Sequence, residues 1–338
     1  MIRIKDIAQM AGVSTTTVSN VIHGNIKKVS PANVEKIQTL LEQTGYIPSM
    51  GARMLAGKSS RMIGVILPLD KKRSLRQITD PFLSTILGAI EAEAYRENYY
   101  MIFHQADSSE DMHLLVSKWN VDGVISICMP DEINEKASEL LHIPMVSVDG
   151  YYKKAGICNV GLEDEKGGYE MAKYLLEQGH RNLYYLADGR VGSNGMRWRG
   201  VQRALKEAGI EEIQSRFLVI SHSLEERRAF YQAQLEMLKN ADALFFASDY
   251  YAIDGIQFLD SQGIRVPEDV SVAGFDDNFL ASLCRPALTT VHQDIEEKGR
   301  LAVHMLVGQM EERKDEEREI RLPVKLVVRG TVREKKQK

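Results

Sequence analysis

Residues 4–24 read IKDIAQMAGVSTTTVSNVIHG, and the fold of the amino-terminal part turns on them. Ile4, Ile7, Ala8 and Ala11 recur at i, i+3, i+4 and i+7, one face of a short helix that Gly12 ends. Ser14 can accept a backbone N–H and cap a second helix, whose inward residues Val18, Val21 and Ile22 again fall three and four apart. Its outward residues are Thr15, Thr16, Ser19 and Asn20. Two short helices joined by a glycine-containing turn, the second exposing small hydrogen-bonding side chains near its start, make the helix-turn-helix arrangement that lays a helix in the major groove of DNA. An ordinary helical hairpin has the same periodicity. Ser30-Pro31 next offer an N-cap followed by proline at the first helical position, and Val34, Ile37, Leu40 and Leu41 form the core face of a third helix closed by Gly45.

Charge separates this segment from the rest. The 338 residues carry a formal charge of −4, which by itself argues against a nucleic-acid partner. Residues 1–61, however, hold eight basic side chains (Arg3, Lys5, Lys27, Lys28, Lys36, Arg53, Lys58, Arg61) against three acidic ones (Asp6, Glu35, Glu42), a surplus of five positive charges. The remaining 35 basic and 44 acidic residues leave the body at −9. A basic head on an acidic body suggests a polyanion-binding domain attached to something else.

The composition, 44% hydrophobic and 27% charged, is that of a soluble globular protein with room for two domains or more, and it excludes disorder and collagen-like repeats. The longest apolar run, residues 62–69, is interrupted by Gly64 and Pro68 and falls short of the ~20 residues that span a bilayer. The charged start, MIRIKDIAQM, lacks the features of a signal peptide, so a cytoplasmic location is expected. Cys128, Cys158 and Cys284 are odd in number and far apart, which fits reduced thiols better than disulfides or a zinc site. Neither a metal nor an organic cofactor is expected.

The run at 4–24, followed by VSPANVEKIQ (29–38), GYIPS (45–49) and ARMLAGKSS (52–60), resembles the DNA-binding headpiece and hinge of the LacI/GalR family of bacterial transcription regulators. The resemblance implies base-reading roles for Thr15, Thr16 and Asn20, with Ser14, Thr17, Ser19 and His23 beside them as further DNA-binding candidates; Asn20 suits adenine best. Arg3 stands where the family often has a threonine N-cap, so the first helix is expected to fray more, with Asp6 supplying some dipole compensation. Residues 49–57 are too short to persist as an isolated helix and are expected to order only on DNA. There, by resemblance, Leu55 wedges between base pairs of the minor groove, Ala52 lets two hinge helices approach, and Arg53 accompanies them. GARMLAGKS (51–59) looks like a phosphate-binding P-loop, but it has five residues between its glycines where that loop needs four, and no strand precedes it.

From residue 62 onward, strand-like runs (MIGVIL, YYMIF, DGVISI, PMVSV, NLYYLA, DALFFAS, VSVAGF) alternate with helix-length periodic segments at 82–97, 109–119, 133–141, 164–178, 195–208, 224–239, 250–262 and 295–313. Such alternation predicts parallel sheets covered by helices, with ligands bound at the carboxyl ends of the strands. VDGVI, the Ile143-Pro144 before a strand, GHRNL, the R-x-x-G of Arg197 to Gly200, VPEDVSVAGFDD and PALTTVHQD are similar to the core of the same family. The implied fold is a small all-α helix-turn-helix headpiece on an α/β core like that of periplasmic binding proteins, with two parallel-sheet subdomains. The expected parts are a headpiece at 1–46, a hinge at 47–60, a first subdomain of 61–161 plus 293–321, and a second of 162–292 plus 322–338.

The resemblance also carries an effector site between the subdomains. Arg197 matches a ligand-gripping arginine whose planar fork suits adjacent hydroxyls or a carboxylate. Asp276 and Asp149 match acidic acceptors at strand ends, Phe82 is the apolar platform, and Ser193, Ser248, Asp249 and Gln293 complete the set. Asp276 could instead be a helix N-cap, Asp149 a turn residue, and Phe82 simple core. Ser248-Asp249 departs from the family's frequent Asn-Asp, which leaves the ligand's identity open. LDKKRSLRQITD (69–80) is a longer loop than usual and carries Lys71, Lys72, Arg73 and Arg76; a solvated loop is the plain explanation, and attraction of a sugar phosphate or sugar acid the alternative.

No catalytic constellation is present: G-x-S-x-G and H-E-x-x-H are missing, and Gly189, Gly192 and Gly195 miss the spacing of G-x-G-x-x-G. The reading is a non-enzymatic, homodimeric repressor of carbohydrate-use genes that binds a near-palindromic operator in double-stranded DNA and responds to a sugar or sugar derivative. The basic tail VVRGTVREKKQK has no leucine heptads, which argues against a coiled-coil tetramer. The alternatives are a solute receptor with no DNA role, and a regulator whose co-effector is a partner protein.

Overall fold

The computed structural model describes residues 2–22, 24–46, 59–69, 79–151, 157–313 and 317–335. The chain divides into two units, residues 1–60 and 61–338.

The first unit holds α1 (Ile4–Ala11), α2 (Thr15–Ile22) and α3 (Pro31–Thr44). Gly12 ends α1 at φ 70°, a left-handed conformation that glycine adopts without strain. Ser14 caps α2 as its sequence predicts, its hydroxyl accepting the Thr17 amide at 3.1 Å. Ser30 stands at the N-cap of α3 but makes no side-chain cap bond; Pro31 at the first position has no N–H to satisfy. Asp6 does more for α1 than compensate its dipole, because its carboxylate accepts the Arg3 amide at 2.8 Å and so satisfies the group just before the helix. Ile7, Ala8, Ala11, Val18, Val21 and Ile37 form the buried centre.

The second unit contains two parallel sheets. The larger is built from β1 (Met62–Pro68), β2 (Tyr100–Ala106), β3 (Gly123–Ile127), β4 (Met145–Val148), β5 (Cys158–Leu162) and β11 (Glu319–Leu322), in the order β11-β5-β4-β3-β1-β2. Val65 in the middle of β1 lies opposite Phe103 of β2 and Ile125 of β3. Ile63, Val65 and Leu67 face one apolar cluster and Ile66 the other, so both faces are covered and the strand reads as a continuous apolar run. Burying one such side chain contributes about 1.5–3 kcal/mol. The helices connecting or covering these strands are α4 (Pro81–Arg96), α5 (Ser109–Trp119), α6 (Asp131–Leu140) and, from near the end of the chain, α13 (Ile295–Met310).

The smaller sheet has β6 (Leu183–Ala187), β7 (Phe217–Val219), β8 (Ala243–Phe246) and β9 (Ser271–Ala273), in the order β7-β6-β8-β9. Its helices are α7 (Asp164–Glu177), α8 (Gly192–Glu207), α9 (Leu224–Ala233), α10 (Leu235–Lys239), α11 (Asp249–Ser261) and α12 (Phe279–Leu283). A two-stranded antiparallel piece, β10 (Thr290–His292) with β12 (Lys325–Val327), lies where the chain passes between the two sheets. The single helix read at 224–239 is in fact α9 and α10, separated at Gln234. Strands β5, β7, β10, β11 and β12 carry no apolar run long enough to be read from the sequence.

Candidate functional site

On the headpiece, Ser14, Thr15 and Thr16 are exposed, and Thr17, Ser19 and Asn20 are half-buried. The Thr17 hydroxyl is engaged with that of Ser14 at 2.9 Å. The ligand-free surface at the start of α2 is therefore built of Thr15 and Thr16, with Asn20 one turn further along. His23, Ala52, Arg53 and Leu55, and the basic residues Lys71, Lys72, Arg73 and Arg76, lie outside the described residues.

In the second unit the chemistry gathers where the carboxyl ends of the two sheets meet. Arg197, in the second turn of α8, is buried; its Nε donates to Asp164 Oδ1 at 2.7 Å and its Nη1 to the Ala247 carbonyl, just beyond β8, at 2.6 Å. Asp276 is farther, at 3.9 Å from Nη1. The guanidinium also lies flat on the Phe275 ring, 3.6 Å from its centroid. Asp164, at the start of α7, accepts the Tyr151 hydroxyl as well.

A second chain of bonds starts at Lys298 on α13. Its Nζ donates to Asp149 at 2.9 and 3.0 Å and to Gln293 Oε1 at 2.7 Å. Gln293 Nε2 then donates to Asp276 Oδ1 at 2.6 Å. Lysine can only donate, so the amide oxygen of Gln293 must face Lys298 and its NH2 must face Asp276. Phe82 lies below, its ring centroid 5.5 Å from Lys298 Nζ, and Asp80 caps α4 by accepting the Phe82 amide at 2.9 Å.

The structure thus brings together Arg197, Asp276, Gln293, Asp149 and Phe82, and places Ser193, half-buried, in the first turn of α8. Asp149 follows β4 with φ 57° and Asp276 follows β9 with φ 115°, conformations that cost a non-glycine residue about 1–3 kcal/mol and that collect at binding sites. Asp276 is no helix cap; Asn278 caps α12. Two expected ligand contacts are corrected. Asp249 is fully buried, and its carboxylate is taken by the Asn278 amide at 2.9 Å and the Thr290 hydroxyl at 2.5 Å. The Ser248 hydroxyl caps α11 through the Tyr251 amide at 3.4 Å. Asp249 thus serves the backbone at Asn278 and the Thr290 hydroxyl, and Ser248 the start of α11. Missed by sequence reasoning were Lys298, Asp164 and Tyr151, together with Asp188, whose Oδ2 lies 2.7 Å from His222 Nδ1 and accepts the Tyr251 hydroxyl at 2.7 Å.

Burial pushes the Asp276 carboxyl up from 3.8 to about 7, against Arg197, which lowers it, and with Asp80, which raises it further. Burial raises Asp164 and Asp249 too. A carboxyl raised on folding holds a proton that the unfolded chain releases, so its contribution is full below pH 3.8 and is lost as pH rises to about 7. Stability is therefore expected to fall across this window. Asp276→Asn should flatten the fall by at most about 1.4 kcal/mol per pH unit, the value of one proton. Urea denaturation of both proteins from about pH 4 to about pH 8 checks this; parallel curves would assign the proton elsewhere.

Comparisons with known proteins bear on both units. Residues 3–49 match the model for bacterial regulatory proteins of the lacI family, and residues 172–332 that for the periplasmic binding protein-like domain. The HTH-type transcriptional repressor PurR of Vibrio atlanticus is 32% identical over 98% of this chain and 99% of its own length. The chain belongs to the LacI family. This LacI-family protein also superposes on the Lac repressor dimer bound to operator and the anti-inducer ONPF, with a TM-score of 0.83 and 25% identity over 98% of this chain and 99% of that one. A LacI family regulator from Enterococcus faecium with bound ribose gives a TM-score of 0.71 at 26% identity, over 81% of this chain and 100% of that one. The regulator is a DNA-binding transcriptional repressor with an effector-binding domain, and not an enzyme. Among the described residues no helix is long and apolar enough to cross a membrane.

Proposed function

We propose that the effector is a sugar or sugar derivative, bound between the core subdomains 61–161 plus 293–321 and 162–292 plus 322–338, and that the protein represses carbohydrate-use genes in the cytoplasm. The observation that carries this reading is the state of the aromatic rings around the cleft. Phe275 is fully buried beneath the Arg197 guanidinium, and Phe82 faces the Lys298 ammonium. These described rings are engaged by the protein's own cations, whereas the polar groups gathered beside them, the Arg197 guanidinium with the carboxyl groups of Asp149 and Asp276 and the Gln293 amide, match hydroxyls better than a flat heterocycle. The ribose held by the Enterococcus faecium regulator supports the same class.

On the DNA side, Thr15, Thr16 and Asn20 read bases of a near-palindromic operator, and the hinge with Leu55 enters the minor groove. A homodimer supplies the two-fold symmetry. Phe279 and Leu283, 64% and 63% exposed and one turn apart on α12, offer it an apolar face. Effector binding shifts the equilibrium between two arrangements of the core only as far as its affinities for them differ.

Gel shift against the promoter of the protein's own gene tests the reading, with calorimetric titration of neutral sugars, sugar phosphates and nucleobases in separate arms. Asn20→Ala is expected to weaken specific binding by about 1–3 kcal/mol, and binding should weaken steeply with salt. Retention of no palindromic fragment, with or without sugars, would end the regulator reading at this promoter; heat from nucleobases alone would end the sugar reading.

A further inference from the structure

Lys298 is a cleft group that the sequence did not single out. It is completely buried, in the first turns of α13. The helix cannot swing it away. Asp294 caps α13 through the Glu297 amide at 2.9 Å, and a Cβ on Gly299 would stand 2.7 Å from the Ala89 Cβ and 3.2 Å from the Ile86 carbonyl, so α13 lies hard against α4. The ammonium is thus fixed at the cleft, where its three N–H groups meet three acceptor atoms: both oxygens of Asp149 and the amide oxygen of Gln293.

Two consequences follow from that saturation. The Asp149 carboxylate is cancelled and has no full charge to offer a ligand. Gln293 is pinned in one amide orientation, so that it donates to Asp276 and occupies one of that residue's oxygens. On the opposite wall Arg197 is matched by Asp164. Two cations and two carboxylates face each other in pairs, and a third carboxyl, Asp276, lies 3.9 Å from Arg197 and is raised to about 7 by burial, so the wall carries at most about one net negative charge. Cys128 is the native reporter of that wall. It follows β3 with φ 50°, the residue is exposed while burial pushes its thiol up, and Asp149, Lys298, Arg197 and Asp164 are the charges that act on it.

We propose that Lys298 is a specificity-determining residue of the effector cleft: by neutralising Asp149 and orienting Gln293 it makes the cleft select an uncharged, polyhydroxylated ligand over a cationic one. This rests on the cleft being the effector site. A lone Asp149 at this position attracts a cationic ligand, and a lone Lys298 attracts an anionic one; only the pair leaves hydroxyl recognition by Asp276 and Arg197 as the main source of affinity.

The test uses the full chain and needs no effector. Cys128 is modified with a cationic methanethiosulfonate (trimethylammonioethyl) and an anionic one (sulfonatoethyl), the rates being read peptide by peptide by mass spectrometry so that Cys158 and Cys284 do not interfere. The thiolate displaces methanesulfinate and a mixed disulfide forms. In the unmodified sequence the two rates, each divided by that for a small free thiol, should agree within about threefold. Lys298→Met is expected to shift the ratio about tenfold toward the cationic reagent, Asp149→Asn about tenfold toward the anionic one, and the double variant should return to within threefold of the parent, as charges a few ångströms away act on a charged visitor. Opposite shifts from the two single variants cannot arise from misfolding, and the double variant leaves no lone buried charge. Ratios that do not move in either single variant would overturn the proposal. A sugar that fails to titrate while the ratios move as stated would instead remove the sugar reading and leave the role of Lys298 standing.

Discussion

Gly200→Ala is expected to cost about 3 kcal/mol or more and to lower the melting temperature of the core by roughly 6–12 °C. The reason is a backbone contact. A Cβ at position 200 would stand 1.9 Å from the Glu165 carbonyl oxygen and 2.5 Å from the Tyr169 amide, and one at Gly168 would stand 2.0 Å from the Arg197 carbonyl oxygen. Helices α7 and α8 therefore touch main chain to main chain, and an added methyl group can be admitted only by driving them apart. Arg197 and Asp164 sit on these two helices, so the same displacement opens their 2.7 Å bond. Gly88 provides the control. It lies within α4 with nothing inside 4 Å of its Cβ position, and alanine there should be neutral or stabilising by up to about 1 kcal/mol, since alanine is the better helix former. Differential scanning calorimetry of the two variants decides; equal melting temperatures would mean that the helices can separate without loss.

The second large effect belongs to Arg197. Arg197→Met removes the partner of Asp164, whose side chain is 1% exposed, and the donor to the Ala247 carbonyl. Breaking a buried pair from one side costs about 3–5 kcal/mol, because the remaining charge is stranded. Lysine is no remedy, since one ammonium cannot reproduce a fork that reaches Asp164 and Ala247 together. Adding Asp164→Asn should restore more than half of the lost stability, yet the double variant should respond to no effector, because the arrangement that Arg197 organises is gone. Urea denaturation reads the first outcome and effector-dependent gel shift the second. A double variant no more stable than Arg197→Met alone would show that the cost lies in packing against Phe275 and not in the stranded carboxylate.

Why some of this was legible in the sequence is a matter of which residues obey period and which obey partners. The headpiece was readable because each apolar residue of 4–24 falls on one helical face and Gly12 and Ser14 punctuate it. The strands β1, β3, β4, β6 and β8 were readable because burial on both faces leaves them apolar but for Ser126 of β3 and Ser147 of β4. CNVGL was not, since β5 buries Asn159, whose amide holds the backbone at Gly150 from both sides, at 3.0 and 3.1 Å. Arg197 and Gly200 were visible as a motif, but the crossing of α7 and α8 that explains the spacing needs Gly168 as well. Lys298 reads as a solvated lysine within EEKGR. The signal was its place three residues after Ile295 and four before Ala302, on the buried face of α13, where a lysine must find a carboxylate. Asp249 failed in the other direction: a residue type that suits a ligand was already claimed by Asn278 and Thr290.

The last described residues have a consequence for how the molecule comes into being. Thr331 accepts the Val272 amide and holds the Thr289 amide through its hydroxyl, Lys335 donates its amide to Gln178, and β11 and β12 are added to elements made far earlier. Neither sheet's surroundings are finished until residues 319–335 have been made. The apolar cluster of the three headpiece helices, by contrast, is made among the described residues by Ile4 to Tyr46. At about 5–20 residues per second, roughly 15–60 seconds separate the synthesis of residue 46 from that of residue 335. The DNA-reading helices of a chain can therefore be complete well before the core that carries its cleft has closed.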